Sequence, residues 1–322
     1  LVLALTTSLA AALLWRPALH AFRAWHPERR ARVAWLVAVA PMALPSLLVL
    51  VCALPGLLGA LFGIGDHCAA HGDHPHFCPI HATVAMSPLV AATLAIFAAL
   101  LVRIVRTGLD GIRGGVREAR WLLRRRGGAL GPGIHVLHTP EPIALTHGLR
   151  CPEIWISQGL NAALRDEERK VVLAHEQAHA ERRDPARLLF AGIASTLHWP
   201  PLREALLSEL RLATEQACDA SAARQLGDPL RVAGTLLRVE RLMRGARAPA
   251  LRGAATLVDT SLPARVEALL APEFQSAPAP RVWPTGWLAL AAAILLASPL
   301  HHLAEHVLED VLRSMVGVRG LF

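Results

Sequence analysis

Residues 33–64 carry no charged side chain. A membrane span needs roughly 20 apolar residues, so this stretch is long enough to cross a bilayer and too long for one straight crossing. Pro41, Pro45 and Pro55 interrupt it. It reads as one tilted, kinked helix, since prolines are tolerated in membrane helices, or as a re-entrant hairpin of two short pieces. The composition points the same way. Hydrophobic residues make up 53% and charged residues 18%, against about 45–50% and about 25% in soluble domains. That balance also excludes a disordered chain.

Three more apolar stretches extend the expectation: about residues 1–15, 80–102 and 283–302. No methionine opens the chain, so the first is read as a trimmed product or an incomplete span. The net charge of +8 would suit nucleic acid if the basic residues shared a face. Instead, Arg16, Arg23, Arg29, Arg30 and Arg32 follow the first stretch, and eight arginines from Arg103 to Arg126 follow the third. The connection between the second and third has neither Lys nor Arg. Under the positive-inside rule, both Arg-rich connections are cytoplasmic. The expectation is therefore a multi-pass α-helical protein of the bacterial inner membrane. The bilayer is its partner, both termini lie outside, and nucleic acid is not bound directly. Residues 1–102 would hold three spans (about 1–15, 33–64, 80–102) and an outer loop at 65–79. Residues 103–282 would form a cytoplasmic domain, 283–302 a fourth span and 303–322 a short outer tail. A signal peptide is disfavoured because the basic flank follows the apolar segment.

The cytoplasmic part opens with an Arg-rich helix at residues 103–126, expected at the membrane surface. Glycines at 127, 128, 131 and 133 then break the chain. Strand-like runs follow at 134–137, 142–145 and 153–157, separated by turn residues, which predicts a small antiparallel sheet. Beyond residue 162 the pattern is helical. The helix from Arg165 to Arg183 has Asp166, Glu167 and Glu168 at its start, where the helix dipole favours negative charge. It contains His175-Glu176-Gln177-Ala178-His179. Histidines at i and i+4 share a helix face and can reach one ion, and the glutamate between them can reach a water on that ion. The chemistry is that of a zinc peptidase: two histidine ligands, a third ligand from elsewhere, one open position and Glu176 as general base. A later helix, from about Pro201 to the cap residue Gly227, carries Glu215-Gln216-Ala217-Cys218-Asp219. Glu215 is the candidate third ligand. Asp219, one turn on, is the candidate partner that orients a ligand histidine.

These motifs occur in a fixed order with Gly159-Leu160, Leu164, Arg182-Arg183-Asp184, Leu197-His198-Trp199, Pro201 and Arg265-Val266-Glu267-Ala268-Leu269-Leu270. In that order the chain resembles the BlaR/MecR antirepressor family of membrane zinc metallopeptidases over about residues 80–270. The resemblance implies a cytoplasmic α+β, gluzincin-like domain. It implies one catalytic Zn2+ on His175, His179 and Glu215, with Glu176 as base. It also implies regulated cleavage of a cytoplasmic DNA-binding repressor, and of the chain itself, on an outside signal. The antibiotic sensors of that family carry a large penicillin-binding domain after the last span. Here Leu303–Phe322 follow, so β-lactam sensing by that route is not expected. Competing readings are a quality-control protease of the HtpX or CAAX-prenyl-protease kind and a non-catalytic metal-binding receptor. Residues 186–199 are too short for the spans that HtpX-type enzymes place there.

Several residues have two readings. Asp184-Pro185 fits a helix cap followed by proline at the first helical position. Cys218 fits a buried small side chain. His198 and His147 are candidates to stabilise an oxyanion, with structural roles favoured. The outer segment brings His67, Cys68, His71, His74, His76, Cys78 and His81 within 15 residues of one another. It reads as a Cys68–Cys78 disulfide, as a metal or pH sensor joined by His301, His302 and His306, or as neither. Cys52 and Cys151 read as unpaired.

Overall fold

The computed structural model describes residues 2–22, 25–62, 88–244 and 262–271. Three long helices come first: α1 (Val2–Phe22), α2 (Pro27–Phe62) and α3 (Pro88–Arg124). Four strands follow, β1 (Arg126–Gly131), β2 (Ile134–Leu137), β3 (Ala144–His147) and β4 (Glu153–Ser157). The remaining helices are α4 (Gln158–Ala163), α5 (Asp166–Arg182), α6 (Asp184–Ala194), α7 (Pro200–Leu226), α8 (Pro229–Arg244) and α9 (Leu262–Leu270). The chain divides into two compact units. One comprises Leu5–Pro41 and Ala99–Pro278 and contains the sheet and the candidate site. The other comprises Leu1–Ala4, Met42–Ala98 and Ala279–Phe322, of which the described residues belong to α1, α2 and α3.

Strand order is β1-β2-β4-β3. The sheet is mixed and not antiparallel throughout, because β2 runs parallel to β4 while the other two pairings are antiparallel. β3 begins at Ala144, two residues later than the sequence pattern indicated, and the glycine-rich segment forms β1 where a break was expected. The alternation of side chains along the strands explains the two cores. Val136, Ala144 and Ile156 face Val171, Val172 and Ala174 of α5. Their neighbours Leu137, Leu145 and Trp155 meet Leu122 and Trp121 of α3. This alternation turns Thr146 toward α5 and His147 toward α3. At the end of β4, Ser157 caps α4 by accepting from the Leu160 amide and also accepts from the Ile143 amide. Two residues on, an added Cβ at Gly159 would lie 1.9 Å from the Pro140 carbonyl oxygen, so only glycine fits there.

α5 is started by its own sequence. The Glu168 carboxylate accepts from the Arg165 amide, and Asp166, Glu167 and Glu168 occupy the first turn. It ends at Arg183, the only non-glycine residue with positive φ (53°) among the described residues. The left-handed turn starts α6 at once. Asp184 is therefore the first residue of α6 and caps nothing with its side chain, contrary to the capping expectation. α7 ends as expected at Gly227, in left-handed conformation at φ 69°.

The multi-pass membrane architecture is not what this fold supports. Among the described residues, no helix is long and apolar enough to cross a membrane. In α3 the uncharged part, residues 88–102, spans about 22 Å at 1.5 Å per residue, short of a ~30 Å hydrocarbon core. Arg103 and Arg106 continue the same helix. α1 meets Arg16 after a similar length. α2 directs Ala31, Ala34 and Ala38 into a protein core with Ala191 of α6 and Leu206, Leu210 and Ala213 of α7. Its side chains from residue 51 lie outside the described residues. So do the expected span 283–302, the tail 303–322 and the whole His/Cys segment (His67, Cys68, His71, His74, His76, Cys78, His81). The Arg-rich segment expected on a membrane surface is the second half of α3, which packs Trp121 and Leu122 against the sheet. Arg30, read from sequence as a topology marker, is buried and paired with Glu209.

Candidate metal centre

α5 packs against β3 and β4 of the sheet and against α7, and two of its side chains face α7. His175 and His179 lie one helical turn apart, and both are buried. Their Nε2 atoms are 3.2 Å apart. From α7, the Glu215 carboxylate reaches both, with Oε2 3.4 Å from His175 Nε2 and Oε1 3.5 Å from His179 Nε2. These three residues form a group able to hold a metal ion. The spacing itself supports that. Donors about 2.05 Å from one ion at a tetrahedral angle are ~3.3 Å apart, close to all three observed separations. The chemistry agrees as well. If each Nδ1 carries the ring proton, the two Nε2 lone pairs and the carboxylate face one another, an arrangement that a shared cation relieves.

Each Nδ1 has an acidic partner. His175 Nδ1 lies 2.9 Å from Asp219 Oδ1, and His179 Nδ1 lies 3.0 Å from Asp184 Oδ2. Such partners fix the tautomer and aim Nε2 at the metal position. Asp219 sits one turn after Glu215, as the E-x-x-x-D spacing requires. Asp184 reaches His179 only because the left-handed Arg183 folds the chain back. Behind the carboxylates lies Arg265 of α9, itself fully buried. Its guanidinium donates to both Asp219 oxygens at 2.8 Å and lies 3.1 Å from Glu215 Oε2. Residues 265–270 belonged to the family pattern, but nothing in the sequence marked Arg265 as part of the site. Its partners lie 46 and 50 positions earlier in the chain.

The charges reinforce one another. Burial works to raise the Glu215 pKa, but Arg265 and the two histidines outweigh it and bring it to about 2. Burial is likewise overcome at Asp219, where Arg265 holds the carboxyl well below its usual range. At His175 burial works to lower the pKa, and the adjacent carboxylates Asp219 and Glu215 overcome it, raising it to about 10. These carboxylates favour a protonated His175 when no metal is bound, and a metal would compete with that proton.

Glu176 is fully buried beside the histidines. Thr146 Oγ1 lies 2.8 Å from both the Glu176 backbone oxygen and its Oε2. Oε1 has no hydrogen-bond partner among the described residues, leaving one carboxylate oxygen for a water or substrate atom. Burial raises the Glu176 pKa above the ordinary carboxyl value. Thr146 was missed from sequence, because a strand threonine has no motif and its position depends on the register of β3.

His179, Asp184 and Cys218 form a second group with metal-ligand donors. Cys218 Sγ is 3.4 Å from His179 Nδ1 and 3.6 Å from Asp184 Oδ2. Burial pushes the Cys218 thiol well above its ordinary value, and Asp184 adds to the effect, so it remains a thiol. His179 would have to give up both ring protons to serve two ions. This group therefore backs His179 and is not a separate site. Cys151 is exposed and free. The two oxyanion candidates are occupied elsewhere. His198 is held between Ser8 Oγ (3.1 Å) and the Val37 carbonyl (3.0 Å), and His147 Nδ1 lies 3.6 Å from Glu118.

Residues 138–269 match the family model described as BlaR1 peptidase M56, a metallopeptidase family. No curated protein matches the chain.

Proposed function

Since residues 138–269 form a BlaR1-type M56 peptidase domain, we propose that the chain is a zinc-dependent endopeptidase that acts in regulated proteolysis. The observation that carries this reading is the convergence of His175, His179 and Glu215 on one point beside the orphan oxygen of Glu176. The donor set of two imidazoles and one carboxylate is that of a catalytic zinc site. A bound zinc ion would supply a Lewis acid and a water of lowered pKa.

The residues of the chain supply the rest. Asp219 and Asp184 hold the two imidazoles in the donor tautomer. Glu176 takes a proton from the attacking water and delivers it to the leaving amide nitrogen. The Thr146 hydroxyl fixes Glu176 by donating to Oε2, which leaves Oε1 for the proton. β3 is an edge strand and carries Thr146, so an extended peptide added alongside it would bring a backbone amide near Glu176.

The substrate in this reading is a DNA-binding repressor protein, with cleavage of the chain itself as a second event. Its support is the likeness to BlaR1. The test compares the full chain with Glu176→Gln. The variant should bind zinc as wild type does and cleave nothing, and a proteome-wide search should find a protein cut only when wild type is present. Proteolysis retained by purified Glu176→Gln would refute the mechanism.

A further inference from the structure

Two chains of contacts run outward from the metal centre, one behind each histidine. Both leave residues 138–269 and end on the first turn of α2. Behind His175, Asp219 is held by Arg265. The preceding residue, Ala264, accepts from Gln216 Nε2 at 2.8 Å, and Gln216 Oε1 accepts from Arg30 Nη1 at 2.9 Å. Arg30 also donates to Glu209 from Nε (3.0 Å) and Nη2. Behind His179, Asp184 is held by Arg182 Nε at 3.2 Å. Arg182 lies 3.9 Å from Glu28, which also accepts from Arg224 at 3.3 Å.

Resting on the metal-binding reading above, we infer that Glu28 and Arg30 are positioning residues of the metal centre. They touch neither a donor atom nor a substrate and act through Arg182 and Gln216. Arg30 is buried, so its guanidinium stays where Glu209 and Gln216 can pair it. Gln216 then has each end of its amide committed, one to α2 and one to the backbone of α9. That sets where Arg265 enters and so where the fork of Asp219 and Glu215 comes to rest. On the other side, Glu28 shares Arg182 with Asp184 and limits how far the His179 partner can turn. The alanines at 31, 34 and 38 seat the same helix on α7, so the first turn has a rigid base. Metal sites tolerate misplacement of only ~0.5 Å. The consequence is that the placement of α2, outside the peptidase-matched residues, sets the affinity and geometry of the metal centre.

The test is zinc affinity of the folded full chain, by competition with a chelator, for wild type, Arg30→Met, Arg30→Lys, Gln216→Leu, Glu28→Gln and two double variants. Direct partners of metal-bound histidines are worth about 10–100-fold in affinity. One link further out, each single variant should lose about tenfold. Arg30→Met with Gln216→Leu should lose no more than the larger single change, because they break one chain of contacts. Arg30→Met with Glu28→Gln should multiply, because they break two. Arg30→Lys should recover part of the loss, since it keeps the charge but not the fork. Should Arg30→Met not fold, the partly exposed Glu28 leaves Glu28→Gln to decide. Variants with a lowered Tm and wild-type zinc affinity would overturn the inference and leave the metal centre standing. A wild-type chain that binds no zinc would overturn the metal reading itself.

Discussion

Replacing Arg265 with methionine removes a guanidinium that is 1% exposed and neutralises two buried carboxylates. At an effective dielectric of about 20, a unit pair near 3 Å is worth about 5 kcal/mol before desolvation. Returning the buried arginine to water in the unfolded state offsets part of this. Breaking a buried pair by removing one partner costs about 3–5 kcal/mol net, and that range is the expectation for the metal-free protein. For a folding unit of 150–250 residues, each kcal/mol moves Tm by about 2–4 °C, so the shift should be about 10 °C. Zinc bound between Glu215 and the histidines replaces part of the missing positive charge, so the zinc-loaded variant should lose less.

The loss should also depend on pH. Asp219 and Glu215 both have depressed pKa values in the folded protein. Their contribution is complete above the ordinary carboxyl range and is lost as pH falls through the folded values. The gap between wild type and variant should therefore be full at pH 6 and begin to narrow between pH 4 and pH 3. Calorimetry at pH 3, 4, 5 and 6, with and without zinc, reads all of this. A metal-free Arg265→Met protein whose Tm at pH 6 lies within about 1 °C of wild type would refute the charge-pairing account.

Two further outcomes are expected. The metal-free chain should be most stable between about pH 4.5 and 6.5. Above that, the contribution of His175 is lost as pH rises toward its folded pKa of about 10, and below it that of Glu215 is lost as pH falls toward about 2. Zinc should flatten the alkaline side, and a metal-free Tm that rises from pH 7 to 9 would contradict this. Gly159→Ala must displace the Pro140 carbonyl and disturb the 3.1 Å bond from the Gly159 amide to the Thr139 carbonyl. It should cost about 3 kcal/mol in urea unfolding at unchanged m-value, and a cost below about 1 kcal/mol would show that the loop yields easily.

Much of the centre can be read along single helices, because helical spacing is a local property. His175 and His179 share a face at i and i+4, and Glu215 and Asp219 do the same on another helix. The start of α5, with its acidic first turn, and the end of α7 at Gly227 follow from capping chemistry within a few residues. Strand limits were harder to read. β3 is shifted by two residues, and β2 pairs parallel to β4, because pairing partners choose the register. The membrane expectation failed for a related reason. An apolar run reports that water is disfavoured but does not say what replaces it, and in α2 the stripe Ala31, Ala34 and Ala38 meets α7.

Local sequence thus determined which donors share a helix face, since 3.6 residues per turn leaves no other choice. Only the tertiary structure decided what stands behind them. A left-handed Arg183 turns Asp184 back onto His179, Arg265 arrives from α9 to close on Asp219 and Glu215, and Thr146 meets Glu176 through the register of β3. Buried charges must be paired, but nothing local dictates which distant segment supplies the partner. That choice belongs to the packing of α2, α7 and α9.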